Sequence, residues 1–121
     1  MTEISIFLAE GETHVRNAMR LMLDYQDGFV IIGSANTAES TLAQVCQNPP
    51  DAILLDWDFP RVNYQRLIHT LREHCPQTRL VATSVKPEHE LAAHQVGTDV
   101  FISKQLSPDQ FLAALRKFFG M

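Results

Sequence analysis

Short apolar runs alternate with longer segments of helical periodicity along the whole chain, and this alternation restricts the fold more than any other feature. Three of the five runs are almost entirely apolar, a pattern typical of strands covered on both faces of a parallel sheet. The runs are ISIFLA (Ile4–Ala9), FVIIGSA (Phe29–Ala35), AILLD (Ala52–Asp56), RLVATS (Arg79–Ser84) and VFIS (Val100–Ser103). The sequence therefore predicts five parallel strands.

Each interval after a run contains a helix candidate, marked by apolar residues one turn apart or by a helix start signal. The clearest start is Ser107-Pro108-Asp109-Gln110, which combines a cap, a first-turn proline and a capping-box glutamine. The other signals are carried by Val15, Ala18, Met19 and Met22; by Thr37 with Ala38, Leu42 and Val45; by Tyr64, Leu67, Ile68 and Leu71; and by Pro87, at the first turn of a short helix through Leu91 and Ala92. This order predicts an α/β fold, (βα)5, with right-handed crossovers and helices on both faces of the sheet.

Length and composition predict one globular domain spanning residues 1–121. The formal net charge of −4 disfavours a nonspecific binder of nucleic acids or anionic membranes, which would be basic.

The two cysteines, Cys46 and Cys75, show no disulfide framework, which fits a reducing compartment. The chain start has no signal-peptide pattern and no run is long enough to span a bilayer, so we expect a cytoplasmic protein without membrane contacts.

Polar residues stand where the predicted strands end. Glu10 follows the first run, Asp56 ends the third, and Thr83 and Lys104 stand at the ends of the fourth and fifth. Parallel sheets of this kind bind ligands beyond the carboxyl ends of their strands. A carboxylate can accept a phosphoryl group, Mg²⁺ can screen the repulsion between the two, and an ammonium can pair with a phosphate oxygen. The residues therefore favour phosphoryl transfer to Asp56.

Four segments in this order, AEGETHVRNAM, LLDWDFP, VATS and DVFISK, resemble the response-regulator receiver domain. The resemblance covers the whole chain, and its first segment is similar to receivers that precede helix-turn-helix output domains of the LuxR/NarL type. It implies a CheY-like, flavodoxin-like doubly wound sheet with strand order 2-1-3-4-5. It also implies two-component signal transduction, with a histidine kinase as partner, a signalling rather than an enzymatic role, and no direct binding of nucleic acid by this domain.

The resemblance assigns a role to each residue of the site. Asp56 resembles the phosphoacceptor and Lys104 the lysine that pairs with the phosphoryl group. Thr83 resembles the switch hydroxyl and Phe101 the rotating switch aromatic. Phosphorylation is then expected to draw Thr83 toward Asp56 and to bias the surface of the fourth helix, a local electrostatic event that acts on a bistable element.

The metal site departs from the family pattern. By resemblance, Mg²⁺ is held by Asp56, by Glu10 as the first acid of an acidic pair, and by the backbone carbonyl of Asp58. Gly11 stands where the second acid is expected, so a Coulomb attraction of roughly a few kcal/mol is missing and we expect weak Mg²⁺ binding. Glu12 or the Asp58 side chain could restore part of the charge. Otherwise Glu12 favours a helix N-terminus, and the Asp58 side chain is expected to be exposed.

The loop after Pro60 also departs from the family, which commonly has glycine in this turn. The residues here are Arg61, Val62, Asn63 and Tyr64. Without glycine, the backbone is expected to avoid positive φ unless Asn63 supplies it. Trp57, next to the acceptor, is unusually bulky for the mouth of the site.

Two alternatives to a working receiver stay open. A degenerate receiver would bind a partner without efficient phosphorylation. A flavodoxin-like enzyme or nucleotide-binding module is disfavoured, because Gly11 stands alone without a GxGxxG or Walker pattern. We favour the working receiver because Asp56, Thr83 and Lys104 are all present. The sequence leaves open a homodimer, and either a stand-alone regulator or the receiver of a longer transcription factor.

Overall fold

The computed structural model describes residues 3–121 and has a five-stranded parallel sheet at its centre. The strands are β1 (Ile4–Ala9), β2 (Phe29–Ala35), β3 (Ala52–Asp56), β4 (Arg79–Ser84) and β5 (Val100–Ser103), each with the bounds of a predicted run. Their order across the sheet is β2-β1-β3-β4-β5. The flavodoxin-like fold and strand order are therefore confirmed.

Five helices connect and follow the strands: α1 (Thr13–Asp24), α2 (Ala38–Gln47), α3 (Tyr64–His74), α4 (His89–Gln95) and α5 (Pro108–Phe119). The Thr37 side chain caps α2, and Ser107 with Gln110 forms the predicted capping box of α5. Within residues 3–121, none of the helices has the length and apolar character needed to cross a membrane.

The helices cover both faces of the sheet, because successive strand residues point to opposite sides. Helices α2, α3 and α4 pack on one face, and α1 and α5 pack on the other. Strand β3 lies in the middle of the sheet and is buried along its whole length. The helix residues buried on the first face are Val45, Leu67, Ile68, Leu71 and Ala93, and those on the second are Met19, Leu23, Phe111, Leu112 and Leu115.

The fourth helix differs from the prediction. It begins at His89, so Pro87 lies in the turn before the helix rather than in its first turn. That turn is closed by hydrogen bonds from the backbone N–H of His89 to the Lys86 carbonyl and from Glu90 to Pro87. Leu91 is 64% exposed, while Ala93 is fully buried. Because α4 buries only one small residue, its apolar stripe is too weak for sequence periodicity to locate the start of the helix.

The β3–α3 loop also differs from the prediction, because Arg61 adopts the left-handed conformation with φ of 56°. Asn63 does not supply the positive φ, because its side chain caps α3 by accepting the Arg66 N–H at 3.0 Å. A capping residue takes extended backbone angles, and Asn63 has φ of −85°. The left-handed residue therefore falls two positions earlier.

Candidate functional site

Asp56 ends the central strand and lies at the base of a pocket at the carboxyl end of the sheet. It pairs with Thr83 in the register of β3 and β4, and Ala9 pairs with Leu55 on the other side. Because the strands are parallel, Glu10 and Lys104, which follow β1 and β5, reach the same place. The fold thus brings together the residues that the sequence singled out at separate strand ends.

Lys104 is the cation at the centre of this cluster. Its Nζ lies 2.7 Å from Oδ1 of Asp56, 2.8 Å from Oε1 of Glu10 and 3.5 Å from Oδ2 of Asp58. Burial lowers the pKa of Lys104, but its close contacts with Asp56 and Glu10 outweigh burial and leave the pKa raised. The side chain is therefore a fixed positive charge beside the acceptor carboxylate.

Glu10 is the most deeply buried acid of the site, with 1% of its surface exposed. Its Oε2 accepts the backbone N–H of Glu12 at 3.0 Å. Its Oε1 is close to Lys104 but receives no well-aligned hydrogen bond from any residue of the described chain. Burial is the main cause that raises the pKa of Glu10, and the nearby Lys104 ammonium and the Glu12 hydrogen bond only partly oppose it. This carboxylate oxygen therefore has an unused lone pair close to Asp56 and Lys104.

The Asp56 carboxylate is held by hydrogen bonds on both oxygens. Oδ1 accepts the backbone N–H of Asp58 at 2.8 Å as well as the Lys104 ammonium, and Oδ2 accepts the backbone N–H of Gly11 at 3.0 Å. Three groups from three loops thereby fix one orientation of the carboxylate. A carboxylate with fixed orientation in a pocket open to solvent is suited to nucleophilic attack.

Gly11 stands where the resemblance places a second acid, and a phenylalanine ring lies beside it. A Cβ atom at this position would lie 3.4 Å from Cδ1 and Cε1 of Phe59 and 3.5 Å from Oδ2 of Asp56. Phe59 is buried. The two substitutes that the sequence suggested, Glu12 and Asp58, line the same pocket but have other hydrogen-bond partners. Glu12 caps α1 by accepting the His14 N–H.

The Asp58 side chain was expected to be exposed, and that expectation is wrong. Its carboxylate accepts the Ser84 hydroxyl at 2.7 Å and the Val85 N–H at 3.1 Å, and lies 3.3 Å from Nδ1 of His89. Partial burial opposes ionisation, but the hydrogen bonds from Ser84 and Val85, together with Lys104, lower the pKa of Asp58. The Asp58 carboxylate thus binds residues at the start of the β4–α4 loop and does not replace the carboxylate that is missing at Gly11.

The two residues of the expected switch lie next to the cluster. Thr83 is buried, and its hydroxyl donates to the Leu55 carbonyl at 3.4 Å rather than to Asp56. Phe101 is half-buried on β5 and lines a groove beside α4 with Leu91 and His94. Phe101 pairs with Ala82 and packs on the face of the sheet that α4 covers, whereas Thr83 pairs with Ile102, whose side chain packs on the opposite face.

Tyr64 belongs to this region, although its spacing in the sequence indicated only a core position on α3. Its hydroxyl donates to the Asp56 carbonyl at 2.8 Å and accepts the Phe59 N–H at 3.0 Å. Its ring stacks on Trp57, with centroids 3.9 Å apart. An aromatic at the first turn of a helix carries no sequence signal for such contacts, which arise from the path of the loop.

The carboxylate oxygens at this edge of the sheet fit a hard cation that needs only one or two protein carboxylates. Residues 3–121 contain no cluster of three His, Cys, Asp or Glu side chains suited to a metal ion. By the resemblance, the ligands would be Asp56, Glu10 and the Asp58 backbone carbonyl, two carboxylates and a neutral oxygen. Mg²⁺ accepts one or two protein carboxylates with water and substrate oxygens completing its shell.

Known proteins share this sequence pattern. The model of the response regulator receiver domain matches residues 6–116. The nitrate/nitrite response regulator protein NarL of Escherichia coli K12 is 26% identical over 115 residues, covering 93% of this chain and 53% of that protein. The protein-glutamate methylesterase/protein-glutamine glutaminase 1 of Oleidesulfovibrio alaskensis is 27% identical, covering 86% of this chain and 29% of that protein. The chain spans about half or less of the length of these relatives.

Solved structures share the fold. The signal receiver domain of the response regulator NarL from Mycobacterium tuberculosis matches with a TM-score of 0.84 at 19% identity, covering 100% of both chains. The response regulator domain of Thermotoga maritima CheB matches with a TM-score of 0.81 at 17% identity, covering 98% of this chain and 96% of that one. With the family model matching most of its length, the chain belongs to the response regulator receiver domains of two-component signal transduction.

Proposed function

We propose that Asp56 accepts a phosphoryl group from a histidine kinase and that the acyl phosphate changes a surface read by another protein domain. The observation that carries this proposal is the contact of 2.7 Å between Nζ of Lys104 and Oδ1 of Asp56 in a pocket open to solvent. A carboxylate oxygen of Asp56 attacks phosphorus, and the bond from phosphorus to the donor atom breaks with its electron pair leaving on the donor.

Lys104 supplies positive charge where negative charge gathers during transfer. Its ammonium already contacts the acceptor, so it can pair with an incoming phosphate oxygen without a large movement. The backbone N–H groups of Gly11 and Asp58 keep the carboxylate oriented. These contacts give the chain's own residues two tasks, orientation of the nucleophile and neutralisation of charge.

Receiver domains generally bind Mg²⁺ at the phosphorylation site, and we assign it here to Asp56, Glu10 and the Asp58 backbone carbonyl. When bound, the ion lowers the repulsion between the acceptor carboxylate and phosphate oxygens. The affinity is weak because Gly11 carries no carboxylate and because Glu10 is engaged by Lys104. Metal binding is therefore the step that limits phosphorylation at low Mg²⁺ concentration.

The response to phosphorylation runs through Thr83 and Phe101. The Thr83 hydroxyl has only a long hydrogen bond to the Leu55 carbonyl, so a phosphoryl oxygen on the neighbouring Asp56 is a better partner. Phe101 lies on the neighbouring strand and lines the groove beside α4 with Leu91 and His94. The curated relatives are longer than this chain, so we infer that the α4 and β5 surface acts on an output domain or on a second receiver.

The test is mass measurement after incubation with a small acyl-phosphate donor over a range of Mg²⁺ concentrations. We expect a gain of one phosphoryl group that depends on Mg²⁺ and is absent in Asp56→Asn. Asp24→Asn, an exposed acid at the end of α1, is the matched control and is expected to behave as wild type. No gain at any Mg²⁺ concentration would contradict the proposal and leave a degenerate, phosphorylation-independent interaction domain.

A further inference from the structure

The β3–α3 loop holds an unusual backbone shape without glycine. Arg61 has φ of 56°, a region that side chains other than glycine, asparagine and aspartate rarely adopt. The same loop contains Asp58, whose N–H binds Asp56 at 2.8 Å. A strained loop that must present main-chain groups to the acceptor requires something to hold it.

Tyr64 spans this part of the loop with a single hydroxyl. It donates to the carbonyl of Asp56 at 2.8 Å and accepts the N–H of Phe59 at 3.0 Å. These two backbone groups lie immediately on either side of Trp57 and Asp58 in the chain. Burial is the main cause that raises the pKa of Tyr64, so the phenol stays protonated and keeps its donor proton at physiological pH.

The ring of Tyr64 fixes the same segment from the side. It stacks on Trp57 with centroids 3.9 Å apart and planes inclined by 18°. Trp57 is 5% exposed, and its backbone N–H donates to the Thr83 carbonyl at 2.7 Å, which connects the loop to β4. Tyr64 is also the first residue of α3, which Asn63 caps. The loop is therefore clamped between the sheet and a helix end.

We propose that Tyr64 is a positioning residue for phosphoryl transfer, which fixes the main chain of Asp58 in the geometry that the acceptor and the metal require. The inference rests on the proposed function of Asp56. Gly11 makes this role of Tyr64 more important, because a metal site with few carboxylates depends more on the position of the Asp58 backbone carbonyl. A preorganised ligand binds more tightly because ordering it costs less on binding.

The experiment compares wild type with Tyr64→Phe, which keeps the stacked ring and removes only the hydroxyl. Trp57 is the sole tryptophan of the chain, so its fluorescence is the probe chosen for Mg²⁺ binding. We expect the dissociation constant for Mg²⁺ to rise about three- to tenfold, the effect of one lost hydrogen-bonding group. The rate of acyl phosphate formation is expected to fall by the same factor at low Mg²⁺ and to recover at saturating Mg²⁺.

Two controls separate positioning from stability. Tyr25→Phe makes the same chemical change at the other tyrosine, which is 80% exposed, and is expected to leave Mg²⁺ binding unchanged. Thr78→Val removes a buried hydroxyl that donates to the Pro50 carbonyl at the opposite end of the sheet. It is expected to lower the unfolding midpoint as Tyr64→Phe does, but not to change the dissociation constant for Mg²⁺.

The outcomes distinguish this inference from the proposed function. Wild type that binds Mg²⁺ and becomes phosphorylated, with an unchanged dissociation constant in Tyr64→Phe, overturns the positioning role alone. Wild type that does neither overturns both. Amide hydrogen exchange gives a second measurement: faster exchange at Phe59 and Asp58 in Tyr64→Phe, with β1 unchanged, supports the clamp, and unchanged exchange at both amides contradicts it.

Discussion

The two ends of the sheet satisfy their polar groups in different ways. At the amino end, Ser5 and Asp51 exchange two hydrogen bonds, each side chain accepting the other's backbone N–H at 2.8 Å. The buried Thr78 hydroxyl likewise donates to the Pro50 carbonyl at 2.7 Å. These hydrogen bonds join β1 and the residue before β4 to the loop that precedes β3.

At the carboxyl end, charge does not balance. One ammonium, that of Lys104, lies within 3.5 Å of oxygens from Glu10, Asp56 and Asp58. One oxygen of Glu10 is left without an aligned hydrogen bond among the described residues. The same sheet thus has one end closed by hydrogen bonds and one end with surplus negative charge, which a bound cation can neutralise.

Loss of the Lys104 charge is expected to have the largest effect. Lys104→Met leaves the buried carboxylates of Glu10 and Asp56 without a counter-charge, so the free energy of unfolding should fall by about 3 kcal/mol in urea titrations. Acyl phosphate formation should also fall by about a hundredfold because the charge beside the acceptor is gone. Lys117→Met, at an exposed position of α5, is the control. Equal stability of the two variants would show that the carboxyl end is as well satisfied as the amino end.

Addition of the missing acid is expected to sharpen the contrast between the ends. Gly11→Asp places a carboxylate beside the site, and the Phe59 ring leaves room for its Cβ at 3.4 Å. We expect the affinity for Mg²⁺ to rise about tenfold by fluorescence titration, and the metal-free protein to become less stable through repulsion with Glu10 and Asp56. Combination with Phe59→Leu, which gives the new carboxylate more space, should not reduce that gain. Unchanged affinity in both variants would count against weak metal binding caused by Gly11.

Neutralisation of the buried acid is expected to stabilise the fold at the expense of the metal site. Burial raises the pKa of Glu10, so the folded protein holds this proton more tightly than the unfolded chain. Stability therefore falls as pH rises from the unfolded value near 4.5 through the folded value. Glu10→Gln should raise the free energy of unfolding by about 1 kcal/mol at neutral pH, have little effect below the unfolded value, and weaken Mg²⁺ binding. Denaturant titrations at several pH values check the sign, and a uniform loss of stability would be the contrary result.

The amino end is expected to give the smallest effect. Ser5→Ala removes one acceptor from the partly exposed Ser5–Asp51 pair, where water can replace it. We expect a loss of about 0.5 kcal/mol in the free energy of unfolding and no change in phosphorylation or Mg²⁺ binding. A change in metal affinity would mean that the two ends are coupled through β1 and β3.

Sequence patterns predicted the sheet better than the loops. All five strands have the predicted bounds, because a buried strand needs an unbroken apolar run and polar residues stop it on both sides. Helix α4 was less well predicted, since only Ala93 of its residues is buried. The predicted site residues Glu10, Asp56, Thr83 and Lys104 lie at one edge of the sheet because parallel strands end together.

The missed parts of the site depend on how loops fold. Asp58 was expected to point to solvent, yet its carboxylate binds Ser84 and Val85 across the gap between two loops. Tyr64 had the spacing of a core residue, and its hydroxyl reaches the backbone on both sides of Trp57 and Asp58. Neither contact has a spacing in the chain that a periodic pattern can reveal.

The sequence by itself determined the (βα)5 order, the burial of β3 and the set of charged residues at the strand ends, because these follow from periodicity and from the geometry of parallel strands. Only the tertiary structure decided that Lys104 is shared between Glu10 and Asp56, that Phe59 lies beside Gly11, and that Tyr64 clamps the acceptor loop. Such contacts depend on loop backbone angles and on distances of a few ångströms between segments far apart in the chain, which no local pattern encodes.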